Sequence, residues 1–142
     1  AGGIADARGI AAAFALGASA VQIGTAYLFC AEATVTQPHH RALREASSSQ
    51  TALTNLFTGR PARGIVNRVM RELGPINLRA PAFPLAGGVL LPLKARSGGS
   101  GDFINLWAGQ AFPLSPGRTA NLSSCELTRQ FVEDYAARSA CT

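Results

Sequence analysis

The sequence predicts an α/β fold built on a parallel sheet. Three features predict it: the glycine pair Gly2-Gly3, a second small-residue turn at Gly24-Thr25, and a helix-like stretch with a short apolar run between them. Strand end, helix and strand in that order make a βαβ crossover, which joins parallel strands and puts ligands at their carboxyl ends. Both glycine turns fall at those ends. Two neighbouring parallel strands that finish in small residues can aim several main-chain N–H groups at one point above the sheet, the geometry that grips a phosphate.

Asp6 is placed to cap the helix, on which Ile10, Ala13 and Phe14 recur on one face before Gly17 ends it. Ala18 to Ile23 is expected as a short, fully buried strand. A side chain at Gly2 or Gly3 would hold a phosphate oxygen away from the backbone, and Thr25 adds a hydroxyl donor at the start of the next turn. One such glycine turn alone is read as a tight turn. The pair at this spacing points to phosphate binding, because only a ligand site needs both.

Beyond Thr25 a helical turn through Tyr27 and Leu28 leads to Cys30, and a helix is expected from Pro38 to about Ala46, ended by Ser47-Ser48-Ser49. His39 and His40, the only histidines, read as a solvent-facing pair beside a helix-starting proline. Neither has an acid partner at metal-ligand or triad spacing, so no catalytic residue and no metal site are assigned in this chain. Thr51 to Thr58 is expected to be extended, and Thr58 to Gly64 forms a compact turn carrying Arg60 and Arg63. Ile65, Val69 and Leu73, with Val66 and Met70 beside them, predict an amphipathic helix stopped by Gly74-Pro75.

Prolines and Gly87-Gly88 break the pattern from Pro75 to Pro92, where loop and short helical pieces are expected. Ser97 to Gly101 reads as a connector. Asp102 is expected to cap a short helix with Phe103, Leu106 and Trp107 on one face. Trp107 reads as a core or interface anchor, against the alternative that Gly109 and Gln110 lie near a cofactor. A last helix begins at Ser123 or Ser124 with Glu126 in capping-box register and Leu127, Phe131 and Tyr135 on its buried stripe.

Composition narrows the function. Charged residues are 15% of the 142-residue chain, against about 25% in typical soluble domains, so much of its surface is expected to pack against further protein. The chain opens on Ala1-Gly2-Gly3 without an apolar run to form the strand those glycines would end, and is expected to be the carboxyl-terminal part of something larger. The net charge of +5 rests on arginine, with Arg60, Arg63, Arg68, Arg71 and Arg79 crowded together. Few aromatics lie among them and no nucleic-acid motif is visible, so nucleic acid is not an expected partner; the charge equally suits a phosphorylated cofactor. Cys30, Cys125 and Cys141 lack zinc or CxxC spacing and are expected as free thiols in a reducing cytoplasm. The most apolar stretch, Ile10 to Ile23, is broken by Gly17 and Ser19, which argues against a membrane span.

The blocks AGGIADARGIAAAFALGASAVQIGT, TGRPARGIVNR, APAFP and DFINLWAGQ, in that order from Ala1 to about Phe112, resemble the carboxyl-terminal half of the bacterial nitronate monooxygenases, formerly called 2-nitropropane dioxygenases. The first block is shared with other FMN-dependent barrels, including the IMP dehydrogenase and dihydroorotate dehydrogenase groups. TGRPAR with its following NR, and WAGQ, narrow the choice.

The resemblance implies the carboxyl-terminal part of an FMN-binding (β/α)8 TIM barrel with an added helical segment. Residues 1–60 would be its last two β/α units and residues 61–142 a helical segment packing on the barrel. It implies FMN as cofactor, with the flavin phosphate on the turns Gly2, Gly3, Gln22, Ile23, Gly24 and Thr25. The implied reaction is oxidation of an alkyl nitronate by molecular oxygen to a carbonyl compound and nitrite. The family's active-site histidine lies in a glycine-rich segment upstream of the GGIA turn, and its role does not transfer to His39 or His40. Ala7 and Phe14 depart mildly from the family pattern. The chain alone is expected to be inactive and poorly folded, because two barrel strands leave open parallel edges. The alternatives are an FMN-dependent enoyl-ACP reductase, which takes hydride from a nicotinamide, and a non-catalytic phosphate-ligand or assembly module.

Overall fold

A computed structural model describes residues 1–140. In chain order its elements are α1 (Ala7–Ala15), α2 (Gln37–Glu45), β1 (Thr51–Thr54), β2 (Ala62–Ile65), α3 (Arg68–Leu73), α4 (Ala86–Val89), α5 (Leu91–Arg96) and α6 (Ser124–Ser139). Short 3-10 turns separate them, among them Thr25–Phe29 and Gly101–Phe103. The chain is mixed α/β, and it divides into two compact units: residues 1–35 with Gly109 onward, and residues 36–108.

The first unit is helical. Asp6 caps α1 by accepting from Gly9 N–H at 3.0 Å, and Gly17, at φ +90°, follows the helix. Ser123 and Glu126 form the capping box of α6. Ile10, Ala26, Cys30, Leu127 and Phe131 make the core, with Phe14, Val21, Ile23, Tyr27 and Tyr135 packed against it. Burial of side chains such as Leu127 and Phe131 contributes about 1.5–3 kcal/mol each. Ala31 N–H donates to Leu122 O at 3.1 Å, and Glu32 accepts from both the N–H and the hydroxyl of Ser124 at 3.1 Å. These bonds stitch the two sequence-remote segments together beside the core.

The predicted strand Ala18–Ile23 is not one. No segment among the described residues pairs with it, and a strand exists only through its ladder. Its side chains are not fully buried either: Val21 and Ile23 turn to the core while Ser19, Ala20 and Gln22 are exposed. The sheet among the described residues is instead the antiparallel hairpin β1–β2, with Thr51 opposite Ile65 and Thr54 opposite Ala62.

That hairpin corrects two further expectations in the second unit. The predicted helix from Ile65 starts only at Arg68, because residues 62–65 are committed to β2. Asn67 caps the shortened helix, accepting from Met70 N–H, and its amide donates to Gly101 O at 2.9 Å and Ile104 O at 2.8 Å. The predicted helix over Phe103, Leu106 and Trp107 is a 3-10 turn followed by a segment laid along β2. Ile65 N–H donates to Leu106 O at 2.8 Å and Ala108 N–H to Arg63 O at 3.2 Å, around a bridge between Gly64 and Trp107. A Cβ on Gly64 would stand 2.9 Å from Leu106 O, so this close approach requires glycine. Leu56, Val69 and Met70 form the unit's core, lined by Phe57, Val66, Leu90 and Phe103.

Candidate functional site

The two turns singled out in the sequence belong to the first unit. Gly2 and Gly3 have φ of +83° and +72°, a left-handed pair that only glycine adopts readily. The turn leads through half-buried Ile4 and buried Ala5 to Asp6, whose cap starts α1. Burial pushes the Asp6 carboxyl up, but the Gly9 N–H and the Arg8 guanidinium, 2.7 Å away, outweigh it and hold the group below its ordinary value. The acid nearest in sequence to the glycine pair is thus ion-paired.

On the second turn, Val21 and Ile23 anchor the backbone in the core while Gln22 and Gly24 face outward. Gly24 O accepts from Tyr27 N–H at 3.0 Å and opens the 3-10 turn, fixed by Ala26 and Phe29, which are 0% and 1% exposed. Gly24 itself has φ −114°, so its backbone does not demand glycine as the first pair does. A Cβ at Gly2, Gly3 or Gly24 would meet no protein atom within 4 Å. Their N–H groups donate to no acceptor among the described residues.

A third segment meets both turns. Gly109 N–H donates to Thr25 Oγ1 at 2.9 Å, and a methyl built on Gly109 would lie 3.6 Å from that oxygen and 3.7 Å from Gly3 N. Gly3 N and Thr25 Oγ1 therefore flank the same spot. Gly109 is fixed in turn by Phe112, buried to 1% exposure, whose N–H donates to Gly109 O at 3.1 Å. Gly3 N and the Thr25 hydroxyl, both uncharged donors, thus lie beside one spot, with open space before Gly2, Gly3 and Gly24, and such a pair would suit an oxyanion. The phosphate of FMN is such an anion, and the absence of any protein atom where Cβ groups would project leaves room for its oxygens.

Sequence reasoning named Gly109 only within an alternative and missed its bond to Thr25, a contact between residues 84 positions apart. Gln110 is exposed. Trp107 stands in the second unit, its ring edge-on to Phe57 at 5.6 Å, as an anchor would. His39 and His40 are half-buried rather than solvent-facing: His39 Nε2–H donates to Trp107 O at 2.9 Å, and Arg44 donates to His40. Burial lowers the His39 pKa against the smaller upward pull of that carbonyl.

Several of the crowded arginines find partners within the second unit. Arg60 stacks on Phe83, Arg63 donates to Thr51 Oγ1 and Arg68 pairs with Glu72. Cys30 is buried and free, with its thiol pushed up by burial and by the Glu32 charge; Cys125 is exposed and free, and Cys141 lies outside the described residues. Among the described residues no cluster of three or more His, Cys, Asp or Glu could hold a metal, and no helix is long and apolar enough to cross a membrane.

Comparison with known proteins converges on one family. The family model for nitronate monooxygenase matches residues 1–134. A nitronate monooxygenase of Pseudomonas aeruginosa is 39% identical over 137 residues, covering 94% of this chain and 38% of that protein. A nitroalkane oxidase from Streptomyces ansochromogenes superposes with TM-score 0.84 at 38% identity, over 99% of this chain and 40% of the other. FabK from Thermotoga maritima superposes with TM-score 0.76 at 28% identity, over 98% of this chain and 44% of its own. The chain thus spans about two-fifths of the length of the relatives it matches.

Proposed function

This chain belongs to the nitronate monooxygenase family, and on that premise we propose that it supplies the phosphate-binding part of an FMN-dependent enzyme that oxidises alkyl nitronates with molecular oxygen to a carbonyl compound and nitrite. The observation that carries this reading is the meeting of the two turns at Gly109, with Gly3 N and Thr25 Oγ1 beside one position. In it, the N–H groups of Gly3, Gly24 and Thr25 and the Thr25 hydroxyl hold the flavin phosphate, with Gly2, Gln22 and Ile23 shaping the two turns.

FMN, when bound, supplies the electron-accepting chemistry. The chain's own work is to fix the cofactor's phosphate end on rigid backbone, so that its reactive ring is presented in one orientation. Neutral donors held on packed turns would need little rearrangement on binding. The barrel carrying these turns is the (β/α)8 type, and the catalytic acid–base group comes from outside residues 1–142, so that the chain alone is inactive.

The greater likeness to the nitroalkane oxidase than to FabK supports nitronate oxidation over enoyl thioester reduction. The test is whether the full-length protein oxidises propionate 3-nitronate without NADPH, releasing nitrite. Strong NADPH-dependent reduction of a crotonyl thioester with no nitrite release would overturn the proposal.

A further inference from the structure

We infer that Gly109 is a positioning residue for the phosphate site: its main-chain N–H occupies the acceptor side of the Thr25 hydroxyl and so commits that hydroxyl's proton to the bound anion. This rests on the reading of the turns as a phosphate cradle and adds to it a group that neither turn contains.

A threonine hydroxyl carries one donor and two acceptor lone pairs, and left alone it rotates between giving and receiving. Here its rotation is constrained. Gly109 N–H donates to Thr25 Oγ1 at 2.9 Å, and the hydroxyl makes no other hydrogen bond among the described residues. With a donor fixed on one side, the O–H is left to point elsewhere, and the neighbouring polar atom that shares the spot is Gly3 N, itself a donor. Two donors that flank one spot cannot satisfy one another. An oxyanion between them satisfies both, and a hydrogen bond to a charged acceptor is about twice as strong as a neutral one.

The bond also has the right support. Gly109 is held by the Phe112 N–H to Gly109 O bond and by the burial of Phe112, and Thr25 is held by buried Ala26. Both ends of the contact are therefore set by packed residues, and the hydroxyl is oriented before any ligand arrives. Gly109 also keeps the cradle clear: a side chain there would lean on Thr25 Oγ1 and Gly3 N together.

The experiment measures FMN and riboflavin binding, by quenching of flavin fluorescence, to the full-length protein and its Thr25→Val, Thr25→Ser and Gly109→Pro variants. Riboflavin lacks the phosphate, so the ratio of the two affinities isolates phosphate recognition. Thr25→Val is expected to weaken FMN about 10- to 100-fold with little effect on riboflavin, and Thr25→Ser to restore most of the loss. Gly109→Pro, which deletes the N–H, is expected to weaken FMN about 3- to 10-fold with riboflavin again spared. Far-ultraviolet circular dichroism and melting of each variant identify any that fail to fold, and Gly109→Ala, which adds the same Cβ as proline but keeps the N–H, is expected to retain more phosphate discrimination than Gly109→Pro. If the wild-type protein binds FMN no better than riboflavin, the phosphate cradle itself is wrong and this inference falls with it. If the wild type discriminates strongly but Gly109→Pro and Gly109→Ala discriminate equally well, or FMN and riboflavin weaken in parallel, Gly109 is only structural and the inference alone is overturned.

Discussion

In the unit made of residues 1–35 and Gly109 onward, the core closes between segments far apart in sequence, with Ile10 and Ala26 on one side and Leu127 and Phe131 on the other. The 36–108 unit closes within one stretch, through the β1–β2 hairpin and side chains that bond to nearby main chain. Examples are Asn67 to Gly101 O and Ile104 O, and Asn55 to both the N–H and O of Asn77. The difference bears on function. The phosphate site proposed at Gly3, Thr25 and Gly109 would exist only while the long-range core is closed, whereas the hairpin unit carries its order locally.

Substitutions that strike one kind of closure and spare the other sharpen this contrast. Leu127→Ala, at a fully buried position of α6, is expected to destabilise the first unit by about 2–5 kcal/mol. Hydrogen exchange would then show amides of α1 losing protection while those of β1 and β2 keep theirs. Equal loss in both would break the contrast. Gly59→Ala is the converse. Gly59 sits at φ +86°, and a Cβ there would collide with main-chain atoms of Pro81, Ala82 and Phe83, so a loss of about 2–4 kcal/mol confined to the hairpin unit is expected in urea unfolding followed by exchange. The smallest effect is at His39. Its folded pKa lies below the ordinary 6.5, so the unfolded chain takes up the proton first. The stability that this group contributes is therefore complete above about pH 6.5 and is lost as pH falls through its folded value. His39→Gln keeps a donor for Trp107 O without titrating, and should flatten the fall in stability between pH 7 and pH 5; an unchanged slope would remove His39 from the account.

What the sequence made legible was local. Asp6 as a cap, the Ser123–Glu126 box and the Gly74 stop each depend on residues within one turn of one another, and each is found as expected. The errors came where distant pairing decided the outcome. Ile65, Val69 and Leu73 do repeat at helical spacing, but Ile65 is claimed by β2 and by Leu106 O. Ala18–Ile23 has a strand's composition and, among the described residues, no partner to make it one. Gly109 meets Thr25 across most of the chain, a contact that no window of sequence encodes. The candidate site was thus legible as two glycine turns, and its third element was not.

In the proposed site the main-chain amide of Gly3 and the turn at Gly24-Thr25 hold one anion. The most direct measurement is FMN affinity of the full-length Gly3→Val variant. A branched side chain at φ +72° cannot keep this backbone, and it would fill the space before the amide. FMN binding is expected to weaken at least about 10-fold with riboflavin binding much less affected; FMN affinity equal to that of the wild-type protein would rule out a shared anion site at these turns.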